Sequence, residues 1–120
     1  MGVLRIDPGD PARHAEIREV FYADVDPATA DAAIGQLGPD APAGIAAERI
    51  PVTRQRYGKI PHAYVVTAKD RAVPEPLQRR FVRELDAISA APTRVTELDS
   101  SHSPFLSCPA ELTEAIAALW

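Results

Sequence analysis

The second half of the chain alternates between strand-like and helix-like segments, and this alternation restricts the fold more than any other feature. Residues 63–68 (AYVVTA) are β-branched and aromatic without polar alternation, which predicts a strand buried on both faces. Residues 93–98 predict a second short strand, and a helical pattern follows each strand. Strands that alternate with helices pair in parallel through right-handed crossovers, so the predicted fold class is α/β.

Each of the two helices predicted in this half carries an apolar stripe. Pro74 and Pro76 fit the first turn of the earlier helix. The stripe that we expect to cover the sheet consists of Leu77, Phe81, Leu85 and Ile88. The later helix is predicted to begin near Pro109, and the residues expected to face inward are Leu112, Ile116 and Leu119.

The first half of the chain predicts two short amphipathic helices. Asp10 precedes Pro11 and Asp26 precedes Pro27, and in each pair the Asp can cap free amides while the Pro occupies the first helical position. Their apolar stripes are Ile17, Val20 and Phe21 in one helix and Ala30, Ala33, Ile34 and Leu37 in the other. Residues 38–51 are rich in Pro, Gly and Ala, which predicts a connector without regular structure.

Composition and charge exclude several classes of protein. The net charge of -4 and the scattering of the 13 Lys and Arg residues argue against a nucleic-acid partner. A single cysteine, Cys108, fits a reducing compartment, and no segment resembles a signal peptide or a membrane span, so we expect a cytoplasmic protein without a membrane partner. His14 and His62 have no metal-ligand spacing, and we expect neither a metal nor a cofactor.

Two strands do not make a stable parallel sheet. Their outer edges and apolar faces would remain in water, because no repeat within these 120 residues supplies a neighbouring strand. We therefore expect the deficit to be met by self-association, by another chain, or by sequence upstream of Met1.

The candidate chemical groups follow the two predicted strands. Asp70 comes after the first strand and His102 after the second, and functional groups of open α/β sheets collect at the carboxyl ends of strands. An Asp that binds an imidazole fixes its tautomer, so that the other ring nitrogen can take a proton. The alternatives are a turn-forming Asp70 paired with Lys69 or Arg71, and a turn histidine bound to backbone groups.

Three further nucleophilic side chains lie near His102 in sequence. Ser101 and Ser103 flank the histidine, but adjacent loop residues usually point apart, and we interpret both as loop-capping residues. Cys108 precedes Pro109 without a basic neighbour, which indicates a partly buried residue at a helix start rather than a reactive thiol.

Three blocks of the sequence resemble one family. Residues 21–37 (FYADVDPATADAAIGQL), 56–81 (RYGKIPHAYVVTAKDRAVPEPLQRRF) and 98–112 (LDSSHSPFLSCPAEL) are similar to successive blocks of the esterase and hydroxynitrile-lyase branch of the α/β hydrolases. The resemblance implies that residues 1–44 form lid helices and that 45–120 form the carboxyl-terminal part of the core. It also implies that Asp70 and His102 are the acid and base of a triad acting on a small-molecule ester, in the chain order of that fold.

The sequence departs from this family in one respect. No G-x-S-x-G motif occurs in the chain, so the serine nucleophile and the oxyanion hole formed beside it are absent. We expect the isolated chain to be inactive. Hydroxynitrile lyases of this family typically place Lys directly after the catalytic His, whereas Ser103 stands here, which favours an esterase. The alternative from another class is a non-catalytic relic that serves as a binding or oligomerisation module.

Overall fold

The computed structural model describes residues 3–5 and 7–119. The elements follow the chain in this order: β1 (Val3–Arg5), α1 (Pro11–Phe21), α2 (Pro27–Ile34), β2 (Asp40–Pro42), α3 (Ala43–Ala47), a 3-10 turn (Tyr57–Lys59), β3 (Ala63–Thr67), α4 (Glu75–Asp86), β4 (Arg94–Leu98), α5 (Pro104–Ser107) and α6 (Pro109–Ala117). Within the described residues, β1 and β2 form an antiparallel pair and β3 and β4 a parallel pair.

The parallel pairing of β3 with β4 confirms the predicted α/β class. The register places Ala63 opposite Arg94 and Thr67 opposite Leu98. Pairing continues past the strands, because the amide of Lys69 donates to the carbonyl of Ser100 at 3.0 Å. The two loops that follow the strands are therefore joined by backbone hydrogen bonds before they diverge.

The other edge of β3 is closed at its carboxyl end by the side chain of Gln78. In a parallel strand, the backbone groups of every second residue bond to the same neighbouring strand. The backbone groups of His62 and Ala68 bond to β4, so the backbone groups of Thr67 point away from β4. The Thr67 amide donates to Oε1 of Gln78 at 3.0 Å, and Nε2 of Gln78 donates to the carbonyls of Thr67 and Val73 at 2.9 and 2.7 Å. The amide of a buried side chain thus replaces a neighbouring strand at this position.

The prediction of which side chains of α4 face the sheet is wrong for the first two residues, Leu77 and Phe81. Leu77 and Phe81 are 38% and 39% exposed, while Gln78 and Val82 are the buried residues of the helix. The other two members of the predicted stripe are half-buried. The physical reason is that Gln78 must reach the backbone of β3, and two strands about 5 Å apart offer too little surface to cover a second stripe of a helix about 10 Å wide.

A similar displacement occurs in α6, which begins at Pro109 as predicted. Ala115 is its buried residue, whereas Ile116 is 47% exposed, so the prediction that Ile116 faces inward is wrong. Leu112 and Leu119 are half-buried. The turn-rich segment before this helix contains α5, which the sequence pattern did not predict.

The two amino-terminal helices begin where the sequence predicts. Oδ1 of Asp10 accepts a hydrogen bond from the Ala12 amide at 2.9 Å, and Oδ1 of Asp26 accepts one from the Thr29 amide at 3.0 Å. The helices pack against each other around a buried cluster made of Ile17, Tyr22, Ala30 and Ile34. Leu106 of α5 packs against this cluster and links it to the loop after β4.

The connector predicted at 38–51 contains regular structure after all. β2 pairs with β1, and the side chains of Arg5 and Asp40 form a two-bonded ion pair at 2.6 and 2.9 Å. The interpretation was wrong because this pairing joins residues far apart in sequence and leaves no local periodic pattern. The boundary expected after residue 44 falls inside α3.

We predict that Gln78→Ala destabilises the chain by about 1–3 kcal/mol, because it leaves the buried amide of Thr67 without a partner, whereas the Thr67 carbonyl keeps the amide of Asp70 as its donor. The free energy of unfolding in urea measures this loss. Gln36→Ala is the matched control, since Gln36 is exposed and makes one long hydrogen bond to the Ala32 carbonyl. A loss for Gln78→Ala as small as that of the control would contradict the role of Gln78.

Candidate active site

Asp70 lies in the turn after β3, where its carboxylate is almost fully buried and accepts several hydrogen bonds. The amides of Ala72 and Val73 each donate to Oδ1 at 2.8 Å, and the hydroxyl of Thr67 donates to Oδ2 at 3.0 Å. The side chain is 4% exposed. Burial raises the pKa of Asp70, but hydrogen bonds from Val73, His102 and Thr67 outweigh it and hold the pKa below its ordinary value.

His102 lies in the loop after β4 and contacts Asp70. Nδ1 of His102 is 2.9 Å from Oδ2 and 3.1 Å from Oδ1 of Asp70. An ionised carboxylate only accepts hydrogen bonds, so Nδ1 carries the proton and Nε2 keeps its lone pair in the neutral ring. The ring is 36% exposed and forms a T-shaped pair with the ring of Phe21, with centroids 5.3 Å apart. This imidazole can accept a proton at Nε2 from a hydroxyl group brought to it.

The surface-pairing alternative for Asp70 is wrong. Lys69 donates to Asp99 at 2.7 Å, and Arg71 donates to Glu19 of α1 at 2.7 Å. The neighbouring cations are therefore bound elsewhere, and His102 is the charged or ionisable partner of the Asp70 carboxylate.

Ser101 is bound to Asp24, a residue with no local sequence signal for this role. The Ser101 amide donates to Oδ2 of Asp24 at 2.7 Å, and its hydroxyl donates to Oδ1 of the same carboxylate. Burial raises the pKa of Asp24, but the Ser101 hydrogen bonds outweigh it and lower the pKa. Asp24 stands two residues before Asp26, which caps α2. No local sequence pattern distinguishes an Asp that caps a helix from one that binds a distant loop.

The remaining candidates lie apart from the Asp70–His102 pair. Nε2 of His14 is 2.7 Å from the Pro8 carbonyl, and His62 stacks on Tyr57 with centroids 4.6 Å apart. Cys108 is half-buried at the start of α6. In the described part of the chain, no group of three or more His, Cys, Asp or Glu side chains is placed to hold a metal ion, and no helix is long and apolar enough to cross a membrane.

Phe21 also lines a cavity between the amino-terminal strand and α1. The cavity has a volume of about 480 Å³, and its lining residues are Arg5, Asp7, Arg13, Glu16, Ile17, Val20 and Phe21. Four of these lining residues are charged and three are apolar. Phe21 therefore lines this cavity and also contacts the ring of His102.

A carboxylate and an imidazole on consecutive loops, at the carboxyl ends of two parallel strands, are the arrangement found in the cores of α/β hydrolases. Residues 2–115 match the alpha/beta hydrolase family, and the chain belongs to that family. No curated protein matches the chain significantly.

Solved structures of pyrethroid hydrolases are similar to this chain. A variant of the pyrethroid hydrolase PytH matches at 25% identity with a TM-score of 0.69 over 98% of this chain and 42% of its own, and PytH with BIF matches at 26% identity and 0.68 over 98% and 46%. A pyrethroid hydrolase from Sphingobium faniae JZ-2, 24% identical with a TM-score of 0.67 over 98% and 46%, supports the fold. The chain thus spans less than half the length of these proteins.

The lowered pKa of Asp70 predicts a pH dependence of stability. Below the ordinary Asp pKa of about 4, the unfolded chain binds a proton that the folded chain still excludes, so stability falls as the pH falls. We expect the difference in urea midpoint between the wild type and Asp70→Asn to narrow in this range. Asp99→Asn, which removes an exposed carboxylate from the neighbouring loop, is the control. A constant difference between wild type and Asp70→Asn down to acid pH would refute the prediction.

Proposed function

We propose that this chain carries the acid and base of a carboxylic-ester hydrolase, with Asp70 as the acid and His102 as the base. The observation that carries the proposal is the 2.9 Å contact between Nδ1 of His102 and Oδ2 of Asp70. A buried carboxylate that binds Nδ1 orients the ring and stabilises the imidazolium formed during the reaction. The match to the alpha/beta hydrolase family supports this assignment.

The proposed reaction needs a serine that this chain does not contain, since no G-x-S-x-G motif is present. Nε2 of His102 takes the proton of the serine hydroxyl as its oxygen attacks the ester carbonyl. His102 then gives that proton to the departing alcohol, leaving an acyl-serine. Water, deprotonated by the same ring, then attacks the acyl carbonyl, and the ring returns the proton to the departing serine oxygen, so that the acid is released and the serine is restored. By itself, the chain supplies only the proton transfers.

The proposed substrate is a small carboxylic ester. The similar structures are named as pyrethroid hydrolases, and Ser103 stands where a hydroxynitrile lyase would have a lysine. We further propose that residues 1–44 form the lid over the substrate, because α1 brings Phe21 against the ring of His102. A substrate held between this lid and His102 would meet an apolar side chain beside the base.

A second candidate function is a non-catalytic binding or oligomerisation module. It is favoured by exposed apolar side chains ahead of β3, where Ile50, Val52 and Ile60 are 79%, 50% and 57% exposed. Such a module should form concentration-dependent oligomers, which sedimentation velocity detects. A chain that remains monomeric at micromolar concentration would count against it.

We predict that His102→Gln lowers kcat/KM for p-nitrophenyl butyrate by about 10³-fold or more in a protein that joins this chain to the sequence encoded in frame ahead of Met1. His62→Gln is the matched control and should retain activity, because His62 stacks on Tyr57 ahead of β3, at the opposite end of the strand from Asp70. The proposal fails if His102→Gln hydrolyses the ester as the wild type does. A stop codon ahead of Met1, before any G-x-S-x-G motif, would favour the non-catalytic module.

A further inference from the structure

The segment that carries His102 is held by contacts from the α1–α2 hairpin. Asp24, in the turn between the two helices, binds Ser101, and Phe21 at the end of α1 meets the His102 ring. Leu106 packs against the buried cluster of the hairpin. The hairpin therefore touches this segment before, at and after the histidine.

The contact at Ser101 is the strongest of these. Ser101 is completely buried, and its amide and hydroxyl both donate to the carboxylate of Asp24. Its carbonyl accepts a hydrogen bond from the Ser100 hydroxyl at 3.1 Å. Every backbone and side-chain polar group of Ser101 is thus bonded, and hydrogen bonds to an ionised carboxylate are stronger than those between neutral groups.

Ser100 connects the same segment to the loop of Asp70. Its carbonyl accepts a hydrogen bond from the Lys69 amide at 3.0 Å, one residue before Asp70. Residues 100 and 101 are therefore fixed on one side by the Asp70 loop and on the other by Asp24. The backbone that leads into His102 has defined partners on both sides.

We propose that Asp24 is a positioning residue, which fixes Ser101 and thereby holds the His102 ring in hydrogen-bonding geometry with Asp70. The hydrogen bonds of the ring are to Asp70, and Asp24 acts on the ring through Ser101. The catalytic consequence of this inference rests on the proposed function, whereas the positioning itself is a property of the chain alone. Proton transfer by a base depends on geometry at the level of an ångström, so a small displacement of the ring is enough to slow the reaction.

The direct test is NMR of the histidine-labelled chain. Asp24→Ala should weaken or remove the low-field signal of the Nδ1 proton that His102 shares with Asp70. It should also shift the ring-proton signals of His102, because the ring moves relative to Phe21. The spectrum of His102→Gln identifies these signals. Asp24→Asn keeps one acceptor oxygen and Ser101→Ala keeps the amide bond, so both should give smaller shifts in the same direction.

Asp26→Ala is the matched control. It removes the cap of α2 two residues away, and it leaves the partners of Ser101 in place. It should leave the His102 signals unchanged while lowering the stability of the hairpin. The proposal is overturned if Asp24→Ala shifts the His102 signals no further than Asp26→Ala does. If Asp24→Ala does not fold, the same comparison is made with Asp24→Asn and Ser101→Ala, and shifts no larger than those of Asp26→Ala overturn the proposal.

Kinetics of the longer protein separate this inference from the proposed function. There Asp24→Ala should lower kcat by roughly 10- to 100-fold with little change in KM, since ring position affects the chemical step rather than substrate binding. If His102→Gln keeps its activity, the proposed function fails and the NMR result still decides the positioning role. If His102→Gln is inactive while Asp24→Ala changes neither kcat nor the His102 signals, the inference about Asp24 alone is wrong.

Discussion

The parallel pairing of β3 with β4 is the constraint on which the rest of the structure depends. Because both strands point the same way, their carboxyl ends meet at one edge, and the loops that follow begin side by side. The backbone bond from Lys69 to Ser100 extends this pairing beyond the strands. Asp70 directly follows Lys69, and His102 comes two residues after Ser100. The register of the sheet therefore largely sets the distance between the carboxylate and the imidazole.

The loops beyond the sheet are held by side chains rather than by further strands. Gln78 bonds to the backbone of Thr67 and to the Val73 carbonyl, which fixes the backbone on both sides of Asp70. Asp24 bonds to Ser101, which fixes the loop of His102 from the hairpin. In both cases a polar side chain accepts a hydrogen bond from a buried backbone amide, that of Thr67 or of Ser101, which would otherwise have no partner.

The sequence was sufficient for features with a local signature and insufficient for those that depend on distant partners. Three patterns are local: a continuous apolar strand, an Asp-Pro helix start such as Asp26–Pro27, and polar residues after strands. These patterns predicted the α/β class and the placement of Asp70 and His102 at one edge of the sheet. The buried face of α4 was mispredicted because apolar periodicity takes no account of Gln78 and its bonds to β3. Asp24 was missed because its partner lies 77 residues away.

We infer that Asp70 fixes the tautomer of His102 so that Nε2 is free to act as a base. Nitrogen-15 NMR of the histidine-labelled chain, in buffer well above the ordinary imidazole pKa of about 6.5, tests it directly. We expect His102 to carry its proton on Nδ1 and none on Nε2. A His102 ring protonated on Nε2, with Nδ1 bare beside the Asp70 carboxylate, would contradict it.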